Sequence, residues 1–312
     1  MRTNDATTQI LVIGGWGRCG STLLDMMLGQ LDGFVSAGEV RELWLRGCVE
    51  NRPCGCGEPF ARCSFWTEVG HEAFGGWDRL DLDTVLRVRY RRDRAWTLPR
   101  LLLGGDVRGE LGTYTEALQR LLRAVAAVAG ASVVVDSSKL PTHTMILERA
   151  PELDVRMVHL VRDSRGVAFS NRKHVVKTVT EGRPTTLPRH GPIGSATRYT
   201  YYNGAITGAV GRRAIPTMRL RYEDLIADPA ARLLEVAEHA TGTADHDLGF
   251  IDAGRAVLRP NHLVDGNPVR FAQGPLRLRL DDAWRHELSD LDRRAMTVLT
   301  YPLLRAYGYP TR

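Results

Sequence analysis

Four short apolar runs stand out along the chain: QILVIGG (9–15), ASVVVDS (131–137), VRMVHLV (155–161) and PTMRLRY (216–222). Each is followed by polar or glycine punctuation, the signature of strands buried in a parallel sheet. Between them, TYTEALQRLLRAVAAVAG (113–130) and DPAARLLEVAEHATG (228–242) repeat apolar residues every three or four positions and close on glycine. That pattern predicts amphipathic helices. Strands alternating with helices predict an α/β fold, a doubly wound parallel β-sheet of the P-loop NTPase-like kind flanked by helices. Ligands of such a sheet sit beyond the C-terminal ends of its strands.

Two stretches interrupt the alternation. Residues 40–112 hold four cysteines and the arginine-dense RVRYRRDRAW (87–96), and residues 175–200 are rich in Pro, Gly and Thr. Long irregular segments in a compact domain are usually binding loops or lids. The expectation is therefore one domain spanning 1–312, with 40–112 an acceptor-side insertion and 175–200 a lid loop.

Composition narrows the class. Hydrophobic residues at 43% and charged residues at 25% are ordinary globular values. The start, MRTNDATTQ, has no apolar signal core, and no run approaches the ~18 apolar residues that cross a membrane. A soluble, cytoplasmic protein without a transmembrane segment is expected. The net charge of +6 suits a small anionic ligand and is too small and dispersed to argue for nucleic acid. The cations are almost all arginine, the only lysines being Lys139, Lys173 and Lys177.

The candidate chemistry begins at GWGRCGST (15–22), between the first predicted strand and the amphipathic LLDMMLGQL. A strand, a glycine-rich turn and a helix make a cradle for phosphate. The ATP-binding version reads G-x-x-x-x-G-K-[ST]; here Gly15 and Gly20 fit that frame, but Ser21 stands where the lysine belongs. Loop amides and a helix N-terminus still attract an anion, Arg18 adds a fixed charge, and Ser21 and Thr22 add hydroxyl donors. The magnesium apparatus is missing, with only Asp136 as a weak strand-end acid. The loop suits a phosphate-like group that needs no metal, or is an ordinary tight turn.

A second segment, VRDSRGVAFS (161–170), puts Arg162 at a strand end and Ser170 two helical turns later. With both segments the chain resembles the sulfotransferases that use 3′-phosphoadenosine 5′-phosphosulfate (PAPS), as a bacterial member similar to the carbohydrate and tyrosylprotein branch. That family pairs a P-[RK]-[SG]-G-[ST]-T loop with a later R-D-x-R-x-x-x-x-S segment, and the similarity runs from about residue 9 to about residue 308. The resemblance implies that Arg18, Cys19, Gly20, Ser21 and Thr22 grip the 5′-phosphosulfate and that Arg162 and Ser170 bind the 3′-phosphate. It further implies that Tyr222, in RYEDLIADP (221–229), packs near the nucleotide. Arg270, helped by Asn267 in HLVDGNPVRFAQG (262–274), would close over the adenine and 3′-phosphate. One departure is Gly17-Arg18-Cys19 in place of Pro-Arg-Ser, which swaps a good hydrogen-bond donor for a weak, nearly isosteric one.

Sulfuryl transfer to an alcohol needs a base for the hydroxyl proton. Glu39, in SAGEVREL 21 residues after Arg18, occupies about the place of the family's glutamate base. Glu42 is the fallback, and His143 is the residue a histidine-using branch would employ. Lys139, ending DSSK, is a compact charge able to meet the bridging oxygen, a task shared with Arg18. Asp136, Ser137 and Ser138 read as a turn and cap.

Cys48, Cys54, Cys56 and Cys63 crowd into RGCVENRPCGCGEPFARC. The group suits a zinc site or two disulfides, yet lacks C-x2-C knuckles, and a cytoplasmic setting disfavours disulfides. The expectation is a structural brace beside Glu39, its bonding state open, with no catalytic metal. Cys19, at a helix N-terminus, is expected to have a lowered pKa and a reactive thiol. Trp44, Trp66, Trp77 and Trp96 stack on an acceptor or fill a core, and RVRYRRDRAW draws an anionic acceptor or is a charged helix face.

The leading expectation is thus a PAPS-dependent O-sulfotransferase, with PAPS as co-substrate, 3′,5′-ADP as product and no metal in the chemistry. Its acceptor is a small molecule, a glycan or a lipid. The alternatives are a P-loop small-molecule kinase and a catalytically silent nucleotide-binding protein of the same fold. None of these motifs fixes the oligomeric state.

Overall fold

The computed structural model describes residues 7–103, 109–180 and 183–311. Its centre is a sheet of five parallel strands: β1 (Thr8–Gly14), β2 (Phe34–Gly38), β3 (Val133–Lys139), β4 (Leu153–Val161) and, after a hairpin of β5 (Val176–Thr180) and β6 (Arg183–Thr186), β7 (Thr217–Arg221). They lie side by side in the order β2-β3-β1-β4-β7, so β1 sits in the middle. A small antiparallel sheet of β8 (Ile251–Asp252), β9 (Arg255–Leu258) and β10 (Gly274–Arg277) follows.

The middle strand shows why the first apolar run is continuous. Ile10 and Val12 join one core and Leu11 and Ile13 the other, and all four are fully buried. Helix α1 (Ser21–Leu28) covers the second face through Leu24, Met27 and Leu28. The first face is covered by a helical layer, introduced in chain order as α2 (Val40–Glu42), α3 (Ser64–Phe74), α4 (Leu82–Arg92), α5 (Leu98–Leu102) and α6 (Glu110–Ala129). Val69 of α3 and Val88 of α4 share that core with Leu118 and Leu122 of α6. The stretch after residue 40 that reads as irregular in sequence is therefore mostly helical, and its residues 104–108 lie outside the described ones. Trp44 and Trp66 are fully buried there, while Trp96 is exposed. Arg89, within the arginine-dense segment, is buried and pairs with Glu42.

Helices α7 (Pro141–Leu147), α8 (Ser164–Arg172), α9 (Pro192–Ala205), α10 (Tyr222–Ala227) and α11 (Pro229–Thr241) lie on the flanks, followed by α12 (Trp284–Glu287), α13 (Asp290–Leu299) and α14 (Tyr301–Ala306). Asp228 caps α11 by accepting from the Ala231 amide at 3.1 Å. Both helices expected from sequence end on a left-handed glycine, Gly130 and Gly242. The segment after β9 crosses the tip of β2, where the Val264 amide donates to the Ala37 carbonyl at 3.2 Å. Among the described residues no helix is long and apolar enough to cross a membrane.

Candidate active site

Three neighbouring strand ends supply the site. β1 runs into the glycine loop, β2 ends just before Glu39, and β3 ends on Lys139. β4 ends just before Arg162 on the far side of β1. They open onto a cleft of about 570 Å³ whose lining includes Arg18, Ser21, Glu39, Lys139, Arg162 and Ser170. Thr22 and Tyr222 line it too.

The loop's shape depends on Gly20, at φ 98°, where a Cβ would stand 2.5 Å from Cδ2 of Tyr222. The aromatic ring packs where only glycine leaves room, and the Arg162 guanidinium lies 4.6 Å over that same ring. Arg162 also donates to the Arg18 carbonyl at 3.2 Å and to the Asp281 carbonyl at 2.8 Å. The Arg18 guanidinium lines the cleft with its Nη2 buried and without a hydrogen-bond partner. Burial and the charge of Arg162 both press the Arg18 pKa down. A half-buried cation with an orphan donor, beside a buried one, makes a place for an anion.

Across the cleft the Lys139 ammonium donates to Glu39 Oε1 at 2.6 Å and to the Ser137 carbonyl at 3.0 Å. Burial alone would lower the Lys139 pKa, but the Glu39 carboxylate outweighs it and holds the amine above its ordinary value. Lys139 is thus a stable cation at the base of the site. Lys177 of β5 meets Asp265 at 2.6 Å, and Lys173 meets Asp281 at 3.2 Å. All three lysines of the chain are paired with a carboxylate at or beside this cleft.

Several expected residues land elsewhere. Cys19 is almost completely buried, its side chain in the apolar core beneath the loop. Burial pushes its thiol pKa up despite the nearby Lys139, so the reactive thiol expected from the helix N-terminus is overturned. Only its backbone belongs to the loop. His143 has no cleft face: fully buried, it sits between Asp93 Oδ2 at 2.8 Å from Nδ1 and Asp136 Oδ2 at 3.0 Å from Nε2. Burial would lower its pKa, yet the two carboxylates raise it to about 9, and this ion triad makes it a structural cation rather than a base. Glu42 reaches the cleft but is clasped by Arg41, Arg46 and Arg89, and those charges overcome burial to hold it below the usual carboxylate range. Arg270 is fully buried behind the wall, donating to the Gly266 and Pro53 carbonyls at 3.4 and 3.1 Å. Its neighbours Gly266, Asn267 and Val269 form the wall itself, with the Asn267 amide donating to Thr22 Oγ1 at 3.1 Å.

No sequence motif points to Asp265, Asp281, Lys173 or Lys177. The scarcity of lysine was a usable signal for all three lysines, although it singled out Lys139 alone. The 175–200 segment contributes Lys177, Thr186, Leu187, Pro188 and His190 to the rim, and its residues 181–182 lie outside the described ones.

Residues 10–245 match the family model described as "Sulfotransferase family". Among solved structures, the chain is similar to the sulfotransferase domain from the Synechococcus PCC 7002 olefin synthase, at 18% identity over 99% of this chain and 97% of that one, with a TM-score of 0.48. The sulfotransferase domain from the curacin biosynthetic pathway follows at 15% identity, 98% of each chain and a TM-score of 0.46. Sulfotransferase STF9 from Mycobacterium avium matches at 13% identity, over 97% of this chain and 78% of that one, with a TM-score of 0.44. No curated protein sequence matches this one.

Proposed function

The chain belongs to the sulfotransferase family, and on that premise we propose that it moves a sulfuryl group from PAPS to a hydroxyl of a small-molecule, glycan or lipid acceptor. The observation that carries this reading is the pair of guanidinium groups of Arg18 and Arg162. They share one cleft with a glycine loop, and the Arg18 Nη2 has no hydrogen-bond partner. Such a cradle fits an anion with more than one phosphate-like group.

PAPS supplies the sulfuryl group and departs as 3′,5′-ADP. Arg18, Ser21 and Thr22, with the backbone of Cys19 and Gly20, hold the 5′-phosphosulfate end. Arg162 and Ser170 hold the 3′-phosphate, with Tyr222 beside them. Glu39 accepts the acceptor's hydroxyl proton. Once protonated it no longer neutralises Lys139, and the freed ammonium charge meets the negative charge developing on the bridging oxygen. Proton removal and leaving-group stabilisation are thereby coupled through one hydrogen bond. The acceptor enters beneath the rim formed by residues 186–190.

The kinase reading is weaker on a specific count. Asp136 spends its carboxylate on the Ser138 amide, the Ser138 hydroxyl and His143, deep in the core. The silent-protein reading has to account for Glu39 and Lys139 standing paired beside the anion cradle. Calorimetric titration tests the proposal, using 3′,5′-ADP, 5′-AMP and magnesium-ATP as ligands. Binding that depends on the 3′-phosphate is the expected result. Equal affinity for 3′,5′-ADP and 5′-AMP, or a preference for magnesium-ATP, overturns it.

A further inference from the structure

We propose that Cys54, Cys56, Cys63 and His262 bind one zinc ion in a closed, structural Cys3His site outside the catalytic cleft. Their ligand atoms all lie within 4.8 Å of one another. Cys63 Sγ is 3.7 Å from Cys54 Sγ and 3.8 Å from Cys56 Sγ. His262 Nδ1 is 3.6 Å from Cys54 Sγ and 3.3 Å from Cys63 Sγ. Zinc–sulfur bonds of about 2.3 Å and zinc–nitrogen bonds of about 2.0 Å, set tetrahedrally, require edges of about 3.8 Å between sulfurs and about 3.5 Å from sulfur to nitrogen. The four spacings given lie within a few tenths of an ångström of those edges. They are far from the roughly 2.05 Å of a disulfide.

The surroundings are built to hold such a group. A C-x-C pair is tight for one tetrahedron, but Gly57, at φ 95°, lets the chain turn so that its amide reaches the Cys54 carbonyl at 2.9 Å. A Cβ on Gly55 would stand 1.9 Å from Asn261 Oδ1, and the Gly55 amide donates to the Leu263 carbonyl at 3.0 Å. This close approach brings His262 onto the cysteines. Phe65 stacks on the His262 ring at 4.7 Å and 12°, and Trp66 Nε1 donates to the His262 carbonyl at 2.8 Å. Such outer contacts orient ligands toward a metal. Three thiolates and an imidazole select zinc, and four protein ligands leave no open position for chemistry. The fourth cysteine of the insertion, Cys48, packs against the apolar core and is not part of the group.

The ion joins two segments that both line the cleft, one through Arg52 and the other through Asp265, Gly266 and Asn267. The test is elemental analysis of the full chain, produced in zinc-supplemented medium without an affinity tag of histidines. One zinc per chain that survives dialysis is expected, and cobalt(II) substituted for it should give the intense visible bands of a tetrahedral thiolate site. Cys63→Ser and His262→Ala should lose the metal, and Cys48→Ser should keep it. Metal far below one per chain overturns the proposal, as does bound iron–sulfur, or a mass deficit showing a disulfide among these cysteines. Loss of zinc in Cys48→Ser to the same extent as in Cys63→Ser overturns the ligand set.

Discussion

Arg18 and Lys139 are both non-glycine residues in the left-handed region, at φ 70° and 68°. Such a backbone costs on the order of 1–3 kcal/mol and persists only where the surroundings over-determine it. Here it aims two cations into one cleft. Opposite them, Glu39→Gln should keep 3′,5′-ADP affinity while turnover falls by ~10²–10⁴, the usual worth of a general base. Single-turnover kinetics beside calorimetry checks this, and undiminished turnover moves the base elsewhere. Arg162→Ala should weaken 3′,5′-ADP binding by roughly 10–100-fold, as losing a charge-assisted hydrogen bond does, and leave 5′-AMP binding almost untouched. The buried His143 makes a prediction about pH. Its folded pKa of about 9 lies above the ordinary 6.5, so its stabilisation is complete below about pH 6.5 and is lost as pH rises through about 9. Asp25, raised by burial to about 7, acts in the same direction, because folding increasingly opposes its ionisation between about pH 4 and pH 7. Urea unfolding should therefore show stability declining toward alkaline pH. In His143→Gln the part of that decline above about pH 7 should flatten.

The glycine loop and the edges of the sheet decide how these groups meet. Gly20→Ala would force a Cβ into Tyr222 and into a backbone that side chains avoid, so it should lower the unfolding temperature and weaken nucleotide binding together. Differential scanning fluorimetry with and without 3′,5′-ADP reads both. The same elements show what could be read in the sequence. β1, β3, β4 and β7 were visible as apolar runs because they are buried on both faces or closed by clear punctuation. β2 was not, because FVSAG holds only two good strand formers and is kept in place by pairing with β3, Phe34 against Val133 and Ser36 against Val135. α4 is hidden by arginines that obscure its apolar spacing, although Val85 and Val88 keep it. The loop, Arg162 and Ser170 are legible because a glycine turn and a strand-end arginine opening a helix are local patterns of sequence. The inward turn of Cys19 was not legible, since the spacing of a loop does not say which side chains the core claims. Nor was His262, which lies 199 residues from Cys63 and meets it only through the fold.

At the scale of the whole molecule, strands, lysines and carboxylates converge on one end of the sheet, and the net charge of +6 conceals how they are arranged there. Lys139, Lys177 and Lys173 each face a carboxylate, and Asp281 serves Arg162 as well. Apart from Arg18, whose Nη2 is unpartnered, these cations come already paired with tethered counterions, as in an ion exchanger loaded in advance. A monovalent solution anion gains nothing by displacing a tethered carboxylate, whereas a phosphate dianion brings more charge and more acceptor oxygens than the group it evicts. Raising chloride from about 0.05 to about 0.3 M should thus weaken 3′,5′-ADP binding by less than about threefold, a shallow dependence for a ligand of such charge. An open cluster of cations would admit whatever anion the solvent holds in excess. A preloaded one would exclude common salt and yield its tethered groups only to a ligand worth the exchange.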